Sequence, residues 1–493
     1  MIWQRRMMVG KFKIDRWAAL FLLTAIVAIT VRVVAFSPFA IHHPDEALQY
    51  LDQAHRLTFG TGLVPWEYRA GMRSWLVPLL LAGPMALGKM VAPGSLLYLV
   101  LARTTAALLA FAPVIAAWVI GGRFSRPHAL VAMAVIAIWY ESVYFSVHVL
   151  TEPLAVAAFL SGVALAPAGA PRCRLIAGGA LLMLAAILRI QYAPAIGAFA
   201  LVAFGLRWRD WLWLAVGGVL VAVASSAVDL VMGQWPFAWA WANIQQNVVA
   251  NKAAEFGEFG IDAYNQMLWL HWQVAMVPIL LCAMLGARRS PALAVTALVN
   301  LVVHLAIGHK EYRFILLTSE ITILLAAIGS VDFVERLRGK VSFRTLIAAI
   351  VAVWAVSSAA LAVSDTAGLG WRRFESGNRL ARDAAVRRVC GVALVNENYW
   401  AAGGQTYLDL IPLYYIFDRD LATERRQFAA GAQAYDAVIT TPGRTSIPAM
   451  YRQVECSGRG DEHLCLFVRG GGCRRDAGAE AQSMQRVMEA NDR

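Results

Sequence analysis

Asp45 and Glu46 are adjacent carboxylates in a stretch rich in polar groups, Ile41 to Trp75, with membrane-length apolar runs on both sides. His42, His43 and Pro44 precede them. A carboxylate just past the end of a membrane helix is partly desolvated, which raises its pKa toward that of a useful general base. Asp45 could take the proton from an acceptor hydroxyl as that oxygen attacks a sugar. Pro44 favours a helix start, which would place Asp45, Gln49 and Asp52 on roughly one face. The plain alternative is a helix N-terminus whose acidic residues offset the dipole.

A second constellation, His309-Lys310-Glu311-Tyr312-Arg313-Phe314, stands at the mouth of an apolar run. Lys310 and Arg313 could hold a phosphate, arginine with two-pronged contacts. His309 could protonate or assist, and Glu311 could fix a cation or touch sugar hydroxyls. The alternative is a set of long side chains reaching for the interface. Arg189 and Gln191 end another apolar run, and Glu141, His148 and Glu152 another; ionisable groups at such depths are costly and tend to be functional. Between Met232 and His271, Trp235, Trp239 and Trp241 precede Asn243, Gln245 and Asn247. Aromatic faces beside amides suit sugar; an interfacial aromatic belt would read the same.

The elements that must position these residues are apolar. The chain has 493 residues, 59% hydrophobic and 15% charged, against about a quarter charged in a soluble protein. This implies an all-α polytopic membrane protein, with a small soluble domain at its C-terminal end. Eleven spans are expected: Trp17–Phe36, Leu96–Ile120, Ala129–Val147, Pro153–Ala168, Leu175–Tyr192, Ala193–Leu206, Trp211–Val231, Trp272–Leu285, Pro291–Ile307, Phe314–Val331 and Thr345–Val363. Leu76–Val91, interrupted by Pro78 and Pro84, reads as an interfacial element. With it counted so, Arg5, Arg6, Lys11, Lys13, Arg16, Arg123, Arg126, Arg172, Arg174, Arg207, Arg209, Arg288, Arg289, Arg336, Arg338, Lys340 and Arg344 all fall on one side, the cytoplasmic one. The basic N-terminus before Trp17 reads as a retained signal anchor. The polar clusters then share the non-cytoplasmic side. The net charge of +12 is explained by these loops and by anionic lipid, so no nucleic-acid partner is implied.

Residues 1–363 therefore form the membrane domain, with loops at 37–75 and 232–271. Residues 364–473 read as a small α/β domain, with strands at Val392–Val395, Ala437–Thr440 and Cys465–Val468. Residues 474–493 read as a disordered tail. Cys456 and Cys465 could clip a hairpin in an oxidising compartment, or remain thiols with Cys390 and Cys473. Cys173 and Cys282 look structural. No metal site, phosphate-binding glycine loop or H-E-x-x-H motif is present, so no cofactor is expected beyond an unassigned divalent ion, and a cytoplasmic nucleotide-sugar donor lacks support.

His43-Pro44-Asp45-Glu46, followed by Gln49 and by TGLVPWEYRAGMRSW, resembles the signature of glycosyltransferase family 22, mannosyltransferases of the GT-C superfamily that act in N-glycan and GPI-anchor assembly. His309–Phe314 resembles the family's second signature, Asp229 to Asn247 its long luminal loop more loosely, and Gly403–Tyr415 its C-terminal region. The resemblance implies a GT-C fold and inverting transfer of mannose from a polyprenyl-phosphate donor to a lipid-linked or other glycan acceptor. It implies Asp45 as base with Glu46 beside it. It implies a donor site of His309, Lys310, Glu311, Arg313, Arg189, Gln49 and His43, and acceptor contacts from Trp66, Glu67, Arg69 and Asn247. Gln405 and Asp409 depart from the aromatic and basic residues expected there. The alanine- and arginine-rich composition looks bacterial, which puts the site at the periplasmic face of an inner membrane; in a eukaryote it would be the endoplasmic reticulum. Two alternatives stay open: a GT-C transferase with another polyprenyl-phosphate sugar, and a lipid-linked-sugar transporter, which would carry charges near the midplane of repeated halves.

Overall fold

The computed structural model describes residues 16–336, 342–364, 369–395, 397, 403–443, 447–474 and 477–491. The basic residues expected at positions 5–13, 338 and 340 lie outside these. In hydrocarbon every backbone polar group must be paired within the segment, so apolar runs of this length become helices. Among the described residues, six helices are long and apolar enough to cross a membrane: Arg16–Ala35, Leu97–Gly122, Trp208–Val231, Ala263–Arg289, Tyr312–Arg336 and Phe343–Ser364. A seventh span is a pair bent by 59°, Arg126–Ile138 and Tyr140–Ser146, turning at the extended backbone of Trp139. Leu76–Val91, Thr151–Leu165, Ile190–Phe204 and Pro291–Leu305 are apolar but shorter, as is Arg172–Leu188. Every expected span falls on one of these helices or on the bent pair. Leu76–Val91 is a 16-residue helix with Pro84 inside it.

The Tyr312–Arg336 helix is the most enclosed of the spans, with 89% of its apolar window buried, so the bundle is built around it. Helices come close where side chains are small. A Cβ on Gly217 would collide with the backbone of Ile176, so this contact holds the Arg172–Leu188 and Trp208–Val231 helices backbone to backbone. The Thr151–Leu165 helix shows how the ends differ. At its start Glu152 joins the polar cluster described below; at its finish Arg123 and Arg174 donate to the carbonyls of Val163, Ala164 and Leu165. Fifteen residues separate these ends by about 22 Å at 1.5 Å per residue. The basic loop residues and the polar cluster thus occupy opposite ends of the bundle.

The C-terminal region is a five-stranded mixed sheet. Its strands are β1 (Val392–Val395), β2 (Leu413–Ile416), β3 (Ala437–Thr440), β4 (Arg452–Ser457) and β5 (Leu464–Val468), in the order β2-β1-β3-β5-β4. β1 pairs parallel with β2 and β3; β5 pairs antiparallel with β3 and β4. Cys456–Cys465 clips the β4–β5 hairpin, and Cys390–Cys473 closes the domain. Cys173 and Cys282 are free.

The end expected to be disordered carries the helix Met484–Asn491. Met484 is buried in the main core, and Gln485 exchanges hydrogen bonds with the backbone of Val64. The polar composition concealed that apolar anchor. A second tether runs through Asp52, whose carboxylate accepts the N–H groups of Leu63, Gln405 and Thr406. Gly404 lies at φ +76°, and a Cβ there would strike the Asp52 carboxylate. The soluble domain is therefore clasped onto the loop that carries Asp45.

Candidate active site

Pro44 leads into a wide helical turn, Glu46–Leu51, that runs into the helix Asp52–Phe59. Single wide turns of this kind occur frequently at functional sites. Neighbouring residues on a helical turn diverge by about 100°, and here Asp45 and Glu46 meet different surroundings.

Glu46 is fully buried. Its Oε2 accepts from the His42 N–H at 2.9 Å and lies 2.8 Å from His148 Nδ1; its Oε1 accepts from the Val149 N–H at 2.9 Å and lies 3.3 Å from Arg103 Nη2. Burial pushes the carboxyl up, but His148 and Arg103 outweigh it and hold it at about 2. Glu46 has no open lone pair to offer a substrate. The resemblance placed it with the catalytic groups; in the structure both of its oxygens are engaged by protein partners.

Asp45 keeps 21% of its side chain exposed. Oδ2 accepts from Arg313 Nη2 at 2.6 Å, while Oδ1 faces His43 Nδ1 at 3.6 Å. Burial works to raise its pKa, yet Arg313, with His43, holds it well below the usual carboxylate range. It is an ionised carboxylate with one oxygen committed and the other open.

Arg313 stands 268 positions from Asp45. Its Nε donates to Glu311 Oε2 at 2.7 Å, and its Nη1 lies 3.7 Å from Glu152 Oε1. Glu311 also meets His309 Nε2 at 3.0 Å and His43 Nε2 at 3.8 Å. Burial opposes ionisation of Glu311, but Arg313 and His309 drive its pKa far down. Glu152 in turn lies 3.3 Å from Arg189 Nη1. The structure thus gathers His43, Asp45, Glu152, Arg189, His309, Glu311 and Arg313 into one network.

Other expected site residues have different surroundings. Lys310 Nζ donates to the carbonyls of Ile307 at 2.7 Å, Phe259 at 3.2 Å and Gly308 at 3.5 Å. All three of its donors are spent on carbonyls, two in its own turn and one in the Met232–His271 loop, and so tie that loop to the 307–310 turn. Gln49 Nε2 donates to Glu67 Oε1 at 2.7 Å, behind the wide turn. Trp66 has Lys252 Nζ 5.4 Å from its ring centroid, which brings the second loop over the first. Arg69 is exposed and donates to the Val64 carbonyl. Asn247 lies half-buried in the wide turn Gln245–Val249.

Three groups that matter here were not assigned from the sequence. Arg103, fully buried, also donates to the carbonyls of Pro38 and Val147 and so pins Glu46 in place; a lone arginine inside an apolar run was the available signal. Glu141, noticed but given no role, accepts from Trp139, Trp272, Ser319 and Tyr312. It ties the bent helix pair to the segment carrying Arg313. Arg73, in the stretch that carried the resemblance, lines a cavity together with Arg189, Gln191 and Asn243.

Comparison with known proteins agrees with this architecture. Over 40 residues the chain is 55% identical to GPI mannosyltransferase 3 of Drosophila melanogaster and 50% identical to mannosyltransferase APTG1 of Arabidopsis thaliana. Those segments cover 8% of this chain and 7% of each relative. ArnT from Cupriavidus metallidurans bound to undecaprenyl phosphate superposes with a TM-score of 0.59 over 91% of this chain and 98% of its own, at 13% identity. Its apo state superposes with a TM-score of 0.55 over 92% and 98%, also at 13% identity. These likenesses establish the GT-C fold. Residues 21–369 match the Alg9-like mannosyltransferase family model, and with that match across most of its length the chain belongs to this family of membrane glycosyltransferases.

Proposed function

We propose that the protein transfers a mannosyl residue from a polyprenyl-phosphate donor to a hydroxyl of a lipid-linked or other glycan, at the non-cytoplasmic face of the membrane, with inversion. Asp45 Oδ1 takes the proton from the acceptor hydroxyl as its oxygen attacks the anomeric carbon. The observation that carries this reading is the asymmetry of the adjacent carboxylates. Asp45 is ionised with an open oxygen, whereas Glu46 has every lone pair engaged. Through Glu46, His148 and Arg103 anchor the turn that follows Asp45. Arg313 holds Asp45 in place and keeps it charged.

Two observations support the outward face: the basic loop residues lie at the opposite end of the bundle, and the C-terminal domain carries two disulfides, which persist in oxidising compartments. An inner membrane with a periplasmic site fits both. The test is incubation of the purified protein with a panel of polyprenyl-phosphate sugars. Transfer from the mannosyl donor, abolished in Asp45→Asn, is expected. Transfer from another sugar alone would move the assignment to that donor, and transfer by the variant at the wild-type rate would reject Asp45 as base.

A further inference from the structure

Inside the membrane domain stands a second pair of ionisable groups that the proposed chemistry does not use. Arg32 lies in the last turn of the Arg16–Ala35 helix and is buried. Glu320, also buried, follows Arg313 by seven residues on the enclosed Tyr312–Arg336 helix. At 1.5 Å per residue that puts it about 10 Å deeper in the bundle than Arg313.

The bend at Trp139 accounts for part of Arg32. A helix that ends inside hydrocarbon frees its last carbonyls, and they need donors. Arg32 Nη1 donates to the Ala137 carbonyl at 2.8 Å and Nη2 to that of Ile136 at 3.4 Å, while Ser358 Oγ donates to that of Ile138 at 2.7 Å. The guanidinium thus caps the broken helix from outside, at the end whose dipole favours a cation.

Its Nε is left over. Arg32, Ser142, Ser146 and Glu320 line one cavity of about 270 Å³, walled also by Phe145 and Leu316. Arg32, Ser142 and Glu320 are each more than nine-tenths buried. Arg32 Nε, Ser142 Oγ and Glu320 Oε2 are buried without a hydrogen-bond partner in the protein. Arginine and carboxylate therefore share a cavity and do not meet across it.

We infer that this cavity is a water-binding site within the membrane domain, where ordered water bridges Arg32, Ser142 and Glu320. The three groups offer an N–H donor, a carboxylate acceptor and a hydroxyl that can do either. A water molecule accepts from the first, donates to the second and bonds the third, and buried waters make about three such bonds to groups otherwise unsatisfied. An anion would meet the Glu320 carboxylate and a cation the Arg32 guanidinium, so a neutral dipole fits this set. A lipid chain would leave all three groups unsatisfied, at the full cost of their desolvation. Ionisable side chains inside spans face the bundle interior or a water-filled cavity, and this pair does both. The bridge joins the elements that carry the site. The Arg32 helix runs into the Asp45 loop, Glu320 shares a helix with Arg313, and Ser142 follows Glu141, which accepts from Tyr312 and Ser319.

The experiment uses the full chain in lipid nanodiscs, with heavy-oxygen water as the probe and X-ray hydroxyl-radical footprinting read by mass spectrometry. Radicals formed from held water label the side chains against it. Phe145 and Leu316 are expected to be labelled, and their uptake of heavy oxygen after mixing should lag behind that of exposed Leu410. Glu320→Met, which removes the acceptor and fills its space, should bring both positions to background. Glu320→Gln keeps an acceptor oxygen and should retain the label. Absence of label at both positions in the unaltered chain overturns the site, and that arm does not depend on any variant folding. Uptake as fast as at Leu410 means open solvent rather than held water, and overturns it too. So does labelling in Glu320→Met equal to that of the unaltered chain.

Discussion

Glu46→Gln separates a positioning carboxylate from a reacting one. The substitution preserves shape and removes the charge. Each carboxylate oxygen accepts from a backbone N–H, Oε2 from His42 and Oε1 from Val149. Whichever way the new amide turns, its NH₂ therefore faces one of those N–H groups, and a donor is left unpaired. Arg103 loses its buried counter-charge at the same time. Breaking a buried pair by removing one partner costs about 3–5 kcal/mol. Linkage gives a similar size. A carboxyl at about 2 in the folded protein against roughly 4.3 unfolded corresponds to about 3 kcal/mol at 1.36 kcal/mol per unit. The folded pKa is depressed, so this stability is fully present above about pH 4.3 and is lost as pH falls toward 2. The assay is unfolding in mixed micelles followed by tryptophan fluorescence, with transfer measured on the fraction that stays folded. Glu46→Gln should lose about 3 kcal/mol, and its folded fraction should retain measurable transfer. A variant as stable as the unaltered chain but devoid of transfer would refute this reasoning and return Glu46 to the chemistry.

Asp45→Asn should lose less stability than Glu46→Gln, because Arg313 keeps Glu311 and Glu152 as counter-charges, while transfer falls about 10²–10⁴-fold, the usual worth of a general base. The acid limb of its kcat/KM in the unaltered chain should lie below the ordinary carboxylate range, because Arg313 depresses the group; a limb near pH 6–7 would contradict that. Gly404→Ala, which forces a Cβ against Asp52 at positive φ, should cost about 1–3 kcal/mol and expose the C-terminal domain to limited proteolysis; unchanged protection would dissolve the clasp. Removing Cys390–Cys473, which closes 83 residues, should destabilise the soluble domain by about 4–5 kcal/mol, and removing Cys456–Cys465, which closes 9, by about 2–3. Equal thermal shifts for the two would contradict the chain-entropy argument.

Much of the architecture could be read from the chain alone. Apolar runs of membrane length must become helices because lipid offers the backbone no partner, so spans such as Trp208–Val231 and Tyr312–Arg336 followed from composition. Segregation of the basic loop residues followed from where the runs began and ended, and Arg123 and Arg174 lie at the end it implied. The two polar motifs named Asp45 and Arg313 as residues of one family signature each, and the fold brings them to 2.6 Å.

The division of labour inside each motif was not legible. Asp45 and Glu46 are neighbours of the same chemical type, yet one keeps an open oxygen and the other keeps none. That difference is made by Arg103, His148 and Val149, which lie 57 to 103 positions away. Lys310 looks like a phosphate ligand by type, but carbonyls folded back from 307–308 and from Phe259 use its donors. The final helix packs Met484 into the core although its sequence reads as polar. A residue's type determines what it can donate or accept; only the packed fold decides which lone pairs and N–H groups are already taken, because the groups that take them come from distant parts of the chain. The chain alone pointed to a membrane-embedded glycosyltransferase and to Asp45 as its proposed base, and the tertiary structure decided that the oxygens of Glu46 and the donors of Lys310 are already taken.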